Sequence, residues 1–130
     1  MVNTNRLMNP QAITGIFGRM PLFKGSQLLT LQMKRDGPSL YIQIGTKETV
    51  EKKPLRWDEW DIVYIEISFW GGKDLKIQSF GTFNAIEQFK IEDGEESAFI
   101  NIQCSNGMAI SCLLDWARVE RITPGLIGGL

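Results

Sequence analysis

The chain has 130 residues, 43% of them hydrophobic, and its 14 basic and 15 acidic residues leave a formal net charge of -1. That length supplies one domain with a real core and is too short for two ordinary ones, while the balanced charge excludes a global field that would draw the protein to nucleic acid or an anionic membrane. No apolar run approaches the ~20 residues of a bilayer span and the first residues lack a secretory hydrophobic region, so the expectation is a soluble, cytoplasmic single domain over residues 1–130.

In chain order, Asn9 is a good N-cap and Pro10 suits the first helical position. Ile13, Ile16 and Phe17 then recur at helical spacing, and Gly18 supplies a C-terminal stop with Pro21 beyond it. The spacing predicts a helix of about two turns over residues 10–17, too short to persist unless its Ile/Phe stripe packs on a sheet. Leu29, Leu31 and Met33 next alternate with polar residues, as do Leu40, Ile42 and Ile44. This pattern predicts a hairpin with all six inward, pairing Met33 with Leu40, Leu31 with Ile42 and Leu29 with Ile44. Pro38 cannot donate the closing bond of a two-residue loop, so residues 35–38 make a four-residue turn.

Residues 46–60, TKETVEKKPLRWDEW, carry charges of both signs, are broken by Pro54 and close with Trp57 and Trp60 around Asp58 and Glu59. They read as a long connection. Tryptophan beside carboxylates suits a binding surface, and it equally suits core margin rolled over a sheet edge. Residues 61–91 follow, with Val63, Ile65, Ile67 and Phe69 alternating with Tyr64, Glu66 and Ser68, and Leu75 and Ile77 alternating with Lys76 and Gln78 beyond Gly71-Gly72. The period of two predicts strand, glycine turn, strand, with Phe69 against Leu75 and Ile67 against Ile77 on the buried face. A short turn or helical bend around residues 84–88 leads to a strand carrying Phe89 and Ile91.

Glu92, Asp93, Gly94, Glu95 and Glu96 make an acidic turn, which either attracts a basic partner or is simply solvated. Its spacing does not match an EF-hand loop. Beyond it, a three-residue loop at Ser105-Asn106-Gly107, with Gly107 left-handed, pairs Cys104 with Met108, Ile102 with Ile110 and Ile100 with Cys112. A two-residue Asn-Gly turn would mix polar with apolar on both faces, so the bulged register is preferred. In that register Cys104 and Cys112 stand roughly 13 Å apart, which no disulfide spans, so two reduced buried thiols are expected. Val119 and Ile122 fit strand or helix, Thr123-Pro124-Gly125 ends either, and the apolar tail over 125–130 frays or docks on a neighbouring subunit.

The elements add up to a mainly β fold with little helix: an antiparallel sheet or sandwich of six to eight strands, built of hairpins near Gly37, Gly72 and Asn106, with one short N-terminal helix packed on it. Catalytic apparatus is largely missing. The chain has no histidine, which removes the usual general base and commonest metal ligand, and two cysteines make no zinc site. Gly71-Gly72-Lys73 precedes Asp74 and joins strand to strand, so it is no phosphate loop. The expectation is no enzyme, no cofactor and no metal.

The stretches IFGRMPLF, LLTLQMKRDGPSLYIQI and VYIEISFWGGKDLKIQSFGTFNAIEQFKI, with a strand-rich end closing at VERITP, resemble the immunity protein 50 family of bacterial polymorphic toxin systems over residues 13–124. The most telling parts are Gly18, Pro21 and Phe23 in a Gly-x-x-Pro-x-Phe pattern, the turn Arg35-Asp36-Gly37-Pro38-Ser39-Leu40, and residues 75–91. Where the family pattern has a His-Asp pair after that Phe, this chain has Lys24-Gly25. The resemblance implies a protein that binds and neutralises a cognate toxin without chemistry of its own. Such an inhibitor needs a rigid scaffold and an exposed patch of aromatic anchors and complementary charge. The expected patch is Trp57, Asp58, Glu59, Trp60 and Asp61 with Glu92, Asp93, Glu95 and Glu96. The alternatives are a small-ligand or carbohydrate-binding β module stacking on Trp57, Trp60 or Trp70, and a structural homo-oligomer subunit.

Overall fold

The computed structural model describes residues 6–35 and 39–127. One helix, α1 (Gln11–Phe17), precedes eight strands: β1 (Gln27–Lys34), β2 (Ser39–Thr46), β3 (Ile62–Trp70), β4 (Lys73–Gln78), β5 (Ile86–Glu92), β6 (Ala98–Cys104), β7 (Ala109–Leu114) and β8 (Trp116–Gly125). They form two antiparallel four-stranded sheets, ordered β1-β2-β3-β8 and β4-β7-β6-β5. The alternation read from the sequence explains the burial. Leu40, Ile42, Val63, Ile65, Ile67, Ile100, Ile102 and Ile110 are buried, and residues from both sheets and from α1 share one core cluster.

The glycine pair after β3 does not reverse the chain. β3 and β4 belong to different sheets, so the pairings Phe69–Leu75 and Ile67–Ile77 do not form. Instead Trp70 lies opposite Trp116, the Asp115 N–H donates to the Trp70 carbonyl at 2.8 Å, and Lys73 lies opposite Leu113. β3–β4 and β7–β8 are thus the two strands of one ribbon that bends from the first sheet into the second, as corner strands do in packed sheets. Gly71 makes the bend with φ +73°, and its missing Cβ leaves room for the Asp115 carboxylate. Past the corner Leu75 is exposed, because β4 is an edge strand.

The first hairpin has the expected register at its tip, Met33 opposite Leu40 and Leu31 opposite Ile42. Its turn lies outside the described residues at 36–38. Towards its base a β-bulge between Leu28 and Thr30 sets Leu28, not Leu29, against Ile44. The extra residue changes which side chains face inward. Leu28 enters the core, while Leu29 stands 43% exposed beside Gly45 and Ile62. Met33, expected inward, is 58% exposed on the sheet's edge strand.

The β6–β7 hairpin is as expected: Ile102 faces Ile110, Ile100 faces Cys112, the Cys104 N–H donates to the Met108 carbonyl at 2.9 Å, and Gly107 has φ +87°. Both cysteines are free and buried. No helical bend precedes β5. Asn84 is instead buried, with its amide bonding the Leu28 and Gly81 carbonyls and its oxygen accepting from the Gly81 N–H and the Asn106 amide. β8 settles the strand-or-helix question as strand and runs through Pro124, which an edge strand tolerates.

Helix α1 ends as expected, with Gly18 left-handed and its N–H on the Thr14 carbonyl. Its start differs, because Asn9 makes no cap. The Asn9 amide donates to the Val119 carbonyl and its oxygen accepts the Val119 N–H, both at 2.9 Å. Together with a parallel bridge from Leu7 to Ala117, this covers part of the open edge of β8.

The corner can be tested by Gly71→Ala. A left-handed alanine costs about 1–2 kcal/mol, and its Cβ would lie 2.2 Å from the Asp115 carboxylate oxygen. Urea denaturation should show a stability loss of at least that size, smaller but not abolished in an Asp115→Ala background. An unchanged midpoint would contradict the bent ribbon.

Candidate functional site

The expected patch separates into two places. Trp57 is only 2% exposed and belongs to the core, with its ring 5.4 Å from that of the partly buried Trp60 at 68°. No described residue accepts the Trp57 indole N–H. Asp58 and Glu59 are exposed beside them. The Asp61 N–H donates to the Gly125 carbonyl and its carboxylate accepts the Ile127 N–H, which fastens this loop to the end of β8. Glu92, Asp93, Glu95 and Glu96 are exposed on the β5–β6 turn. Arg6 holds that turn at the other end of β8: its Nε contacts Asp93 at 2.7 Å, one terminal nitrogen donates to the Gly94 carbonyl and the other to the Asp115 carbonyl. Trp116 and Gly125 are the two ends of the ten-residue β8, roughly 30 Å apart at strand spacing. The two halves of the expected patch therefore do not meet.

The outer face of the β1-β2-β3-β8 sheet carries an ordered polar and aromatic surface that the sequence reading did not assemble. Alternation sends Tyr41, Glu66, Ser68, Trp70, Trp116 and Arg118 outward while Ile42, Ile67, Phe69, Ala117 and Val119 fill the core. A second bulge, in β8, sets Arg121 opposite Glu66 and Val119 opposite Ile67, leaving Glu120 as the extra residue. The bulge gives the outer face two consecutive charged residues. Glu120 accepts the Ser68 hydroxyl at 2.7 Å, Ser68 accepts the Trp70 indole N–H at 3.0 Å, and the Tyr41 hydroxyl donates to Glu66, which Arg121 approaches at 3.8 Å. At the top of this lattice Trp70 and Trp116 face each other across the β3–β8 pair, 42% and 53% exposed. Trp116 was legible in principle. Once residues 116–125 are a strand, inward Ala117 and Val119 force it outward.

A separate concavity lies elsewhere. A cleft of about 620 Å³ opens between Lys24, Gly25, Ser26, Thr46, Lys47 and Phe83, over the buried Ser26–Thr46 hydroxyl contact of 2.8 Å. Lys24 and Gly25 thus lie on its wall, with Gly25 at φ +84°. The titratable groups give no sign of an activated nucleophile. Burial raises the Cys112 thiol to about 11, and burial followed by Glu87 raises that of Cys104. Among the described residues no group of three His, Cys, Asp or Glu side chains is placed to hold a metal ion. No described helix is long and apolar enough to cross a membrane.

The fold and these surfaces define a small antiparallel β protein that presents a hydrogen-bonded sheet face. The chain matches the family model Immunity protein 50 over residues 9–125, nearly its whole length, and it belongs to that family. The family carries a toxin-neutralising role and a toxin partner in general terms, and is generally non-catalytic. No curated protein and no solved structure matches the chain.

The Tyr41–Glu66 contact has a spectroscopic consequence. Burial first, and then Glu66, raise the Tyr41 phenol from 10.0 to about 12. A raised folded pKa favours the folded state below pH 10 and that contribution disappears as pH climbs towards 12. Absorbance titration of phenolate, with Tyr41→Phe subtracted, should show Tyr41 ionising late, and Glu66→Gln should recover only part of the shift because burial remains. Titration of Tyr41 near pH 10 in the parent would rule the contact out.

Proposed function

We propose that this chain neutralises a toxin protein of its own bacterial cell by binding it in the cytoplasm, with no chemistry of its own. Family membership supports the role, and the observation that carries the binding reading is the outer face of the β1-β2-β3-β8 sheet. Its side chains are already bonded to one another, from Tyr41 to Glu66 and from Trp70 through Ser68 to Glu120. A partner meeting such a face orders few new rotamers, each of which would otherwise cost about 0.5–1.5 kcal/mol. The face also bears exposed aromatic rings and Arg118, residue types enriched at protein interfaces, with the arginine 3.9 Å from Glu120.

Binding alone suffices for neutralisation when the bound protein covers the toxin's working surface. No proton transfer or covalent step is then required, and the buried thiols and satisfied carboxylates stay spectators. The Trp/acidic character expected of the binding surface is retained in this reading, with Trp57 left in its structural role.

The test is co-expression with the product of the gene adjacent to this chain's, which this reading expects to be the toxin. Cells making both should grow, cells making the toxin alone should not, and the purified proteins should form a complex that survives gel filtration. Growth arrest in the presence of the folded protein, with no complex on gel filtration, would refute the proposal.

A further inference from the structure

We propose that the toxin docks on the corner where β3 bends into β4, with the Trp70–Trp116 pair as its aromatic anchor and the 92–96 turn as the acidic flank that receives a basic toxin surface. This rests on the binding reading above and names the surface and the partner's chemistry. Three observations place the parts together. Trp70 and Trp116 are direct cross-strand neighbours with large exposed rings on one face. The Trp70 indole is held by Ser68, itself only 6% exposed, and Ser68 is held by Glu120, so the ring is oriented before any partner arrives. Arg6 bonds both the acidic turn, at Asp93 and Gly94, and the corner, at the carbonyl of Asp115, the residue next to Trp116. One arginine side chain therefore ties the acidic turn to the residue that precedes Trp116.

The charge balance of this corner selects the partner. Glu92, Asp93, Glu95 and Glu96 line the turn and Asp115 stands at the bend. Arg6 is already engaged with Asp93, Lys90 lies two residues back along β5, and Glu92, Glu95 and Glu96 form no ion pair with another described residue. On the neighbouring strands Lys73 sits next to Asp74, Arg118 is paired with Glu120, and Lys34 lies two strands from Trp70 through Ser39. The excess of carboxylates is therefore on the side of the turn, where a basic surface gains Coulomb attraction at a distance and speeds encounter. The tryptophans act after contact. Large rings on a rigid face lose water over a wide area, which slows departure.

These two roles separate in kinetics measured with the purified product of the gene adjacent to this chain's. Trp116→Ala should weaken binding by at least ~30-fold, mainly through faster dissociation. Glu95→Lys/Glu96→Lys should slow association by roughly fivefold or more at low salt, with the deficit shrinking as salt is added. Lys34→Glu should not slow association. Because Trp116→Ala removes a cross-strand contact, Trp116→Gln and hydrogen exchange on the parent complex provide a second route, with protection expected at the end of β3, the start of β8 and the 92–96 turn. If the parent binds and protects while the Trp116 and Glu95/Glu96 variants behave like it and the footprint lies elsewhere, the corner is the wrong surface and the binding reading stands. Faster association after charge reversal would overturn the basic partner. If the parent neither binds nor protects, the binding reading itself fails and takes the corner with it.

Discussion

Everything else in the molecule depends on pairing that continues through a bend. The ribbon of β3–β4 against β7–β8 supplies the inner strand and one edge of each sheet, so the two sheets are joined covalently and by hydrogen bonds at one corner. The bend asks for a residue that adopts φ +73° with no side chain towards Asp115, and Gly71 meets both conditions. At a second place, near the start of β1 and β5, the sheets meet again. The Leu28 N–H donates to the Asn84 carbonyl and the Ile86 N–H to the Ser26 carbonyl. A core fastened along two such seams has little freedom to shear.

That rigidity decides what the surfaces can do. Because the core holds β2, β3 and β8 in fixed register, the outward residues of the three strands occupy fixed neighbouring positions and bond to one another. The bulge at Glu120 is part of the arrangement, since a regular β8 would turn either Glu120 or Arg121 inward. Gly125 serves the same face from its other end. A Cβ there would come within 2.5 Å of the Tyr64 ring, so its absence leaves room for the ring beside the edge strand. The edge of β8 is partly closed by residues 6–9: the Met8 N–H donates to the Ala117 carbonyl, the Ala117 N–H donates to the Arg6 carbonyl, and the Asn9 side chain bonds Val119 rather than capping α1. Closing an edge in this way leaves the sheet face, more than the edge strand, available to a partner.

The family supplies the kind of work and the structure supplies the means. A toxin-neutralising role requires that a surface be complementary to another protein, and binding costs least where the side chains are already ordered. In this chain those side chains come from three strands and a turn that are distant in sequence. Lys24 and Gly25 lie on the wall of a separate cleft, away from the Trp70–Trp116 corner in the fold, so they do not interrupt the proposed docking surface.

Much of this was legible in the residues. Period-two alternation determined β2, β3 and β6 with their buried faces, the Ser105-Asn106-Gly107 loop determined the β6–β7 register and with it two separated thiols, and Gly18 determined the end of α1. These are local facts, set by side-chain direction and turn geometry. Tertiary structure decided the rest. Alternation continues across Gly71-Gly72 whether the chain reverses or bends, and only the availability of β7–β8 as a partner makes it a corner. A bulge leaves no mark in an apolar pattern, so Leu28 and Leu29 exchanged roles unseen. Trp57 and Trp116 have similar sequence surroundings, a tryptophan beside aspartate, yet one is core and the other surface. The difference lies in which strand each adjoins and what packs above it, and that depends on contacts between residues far apart in the chain.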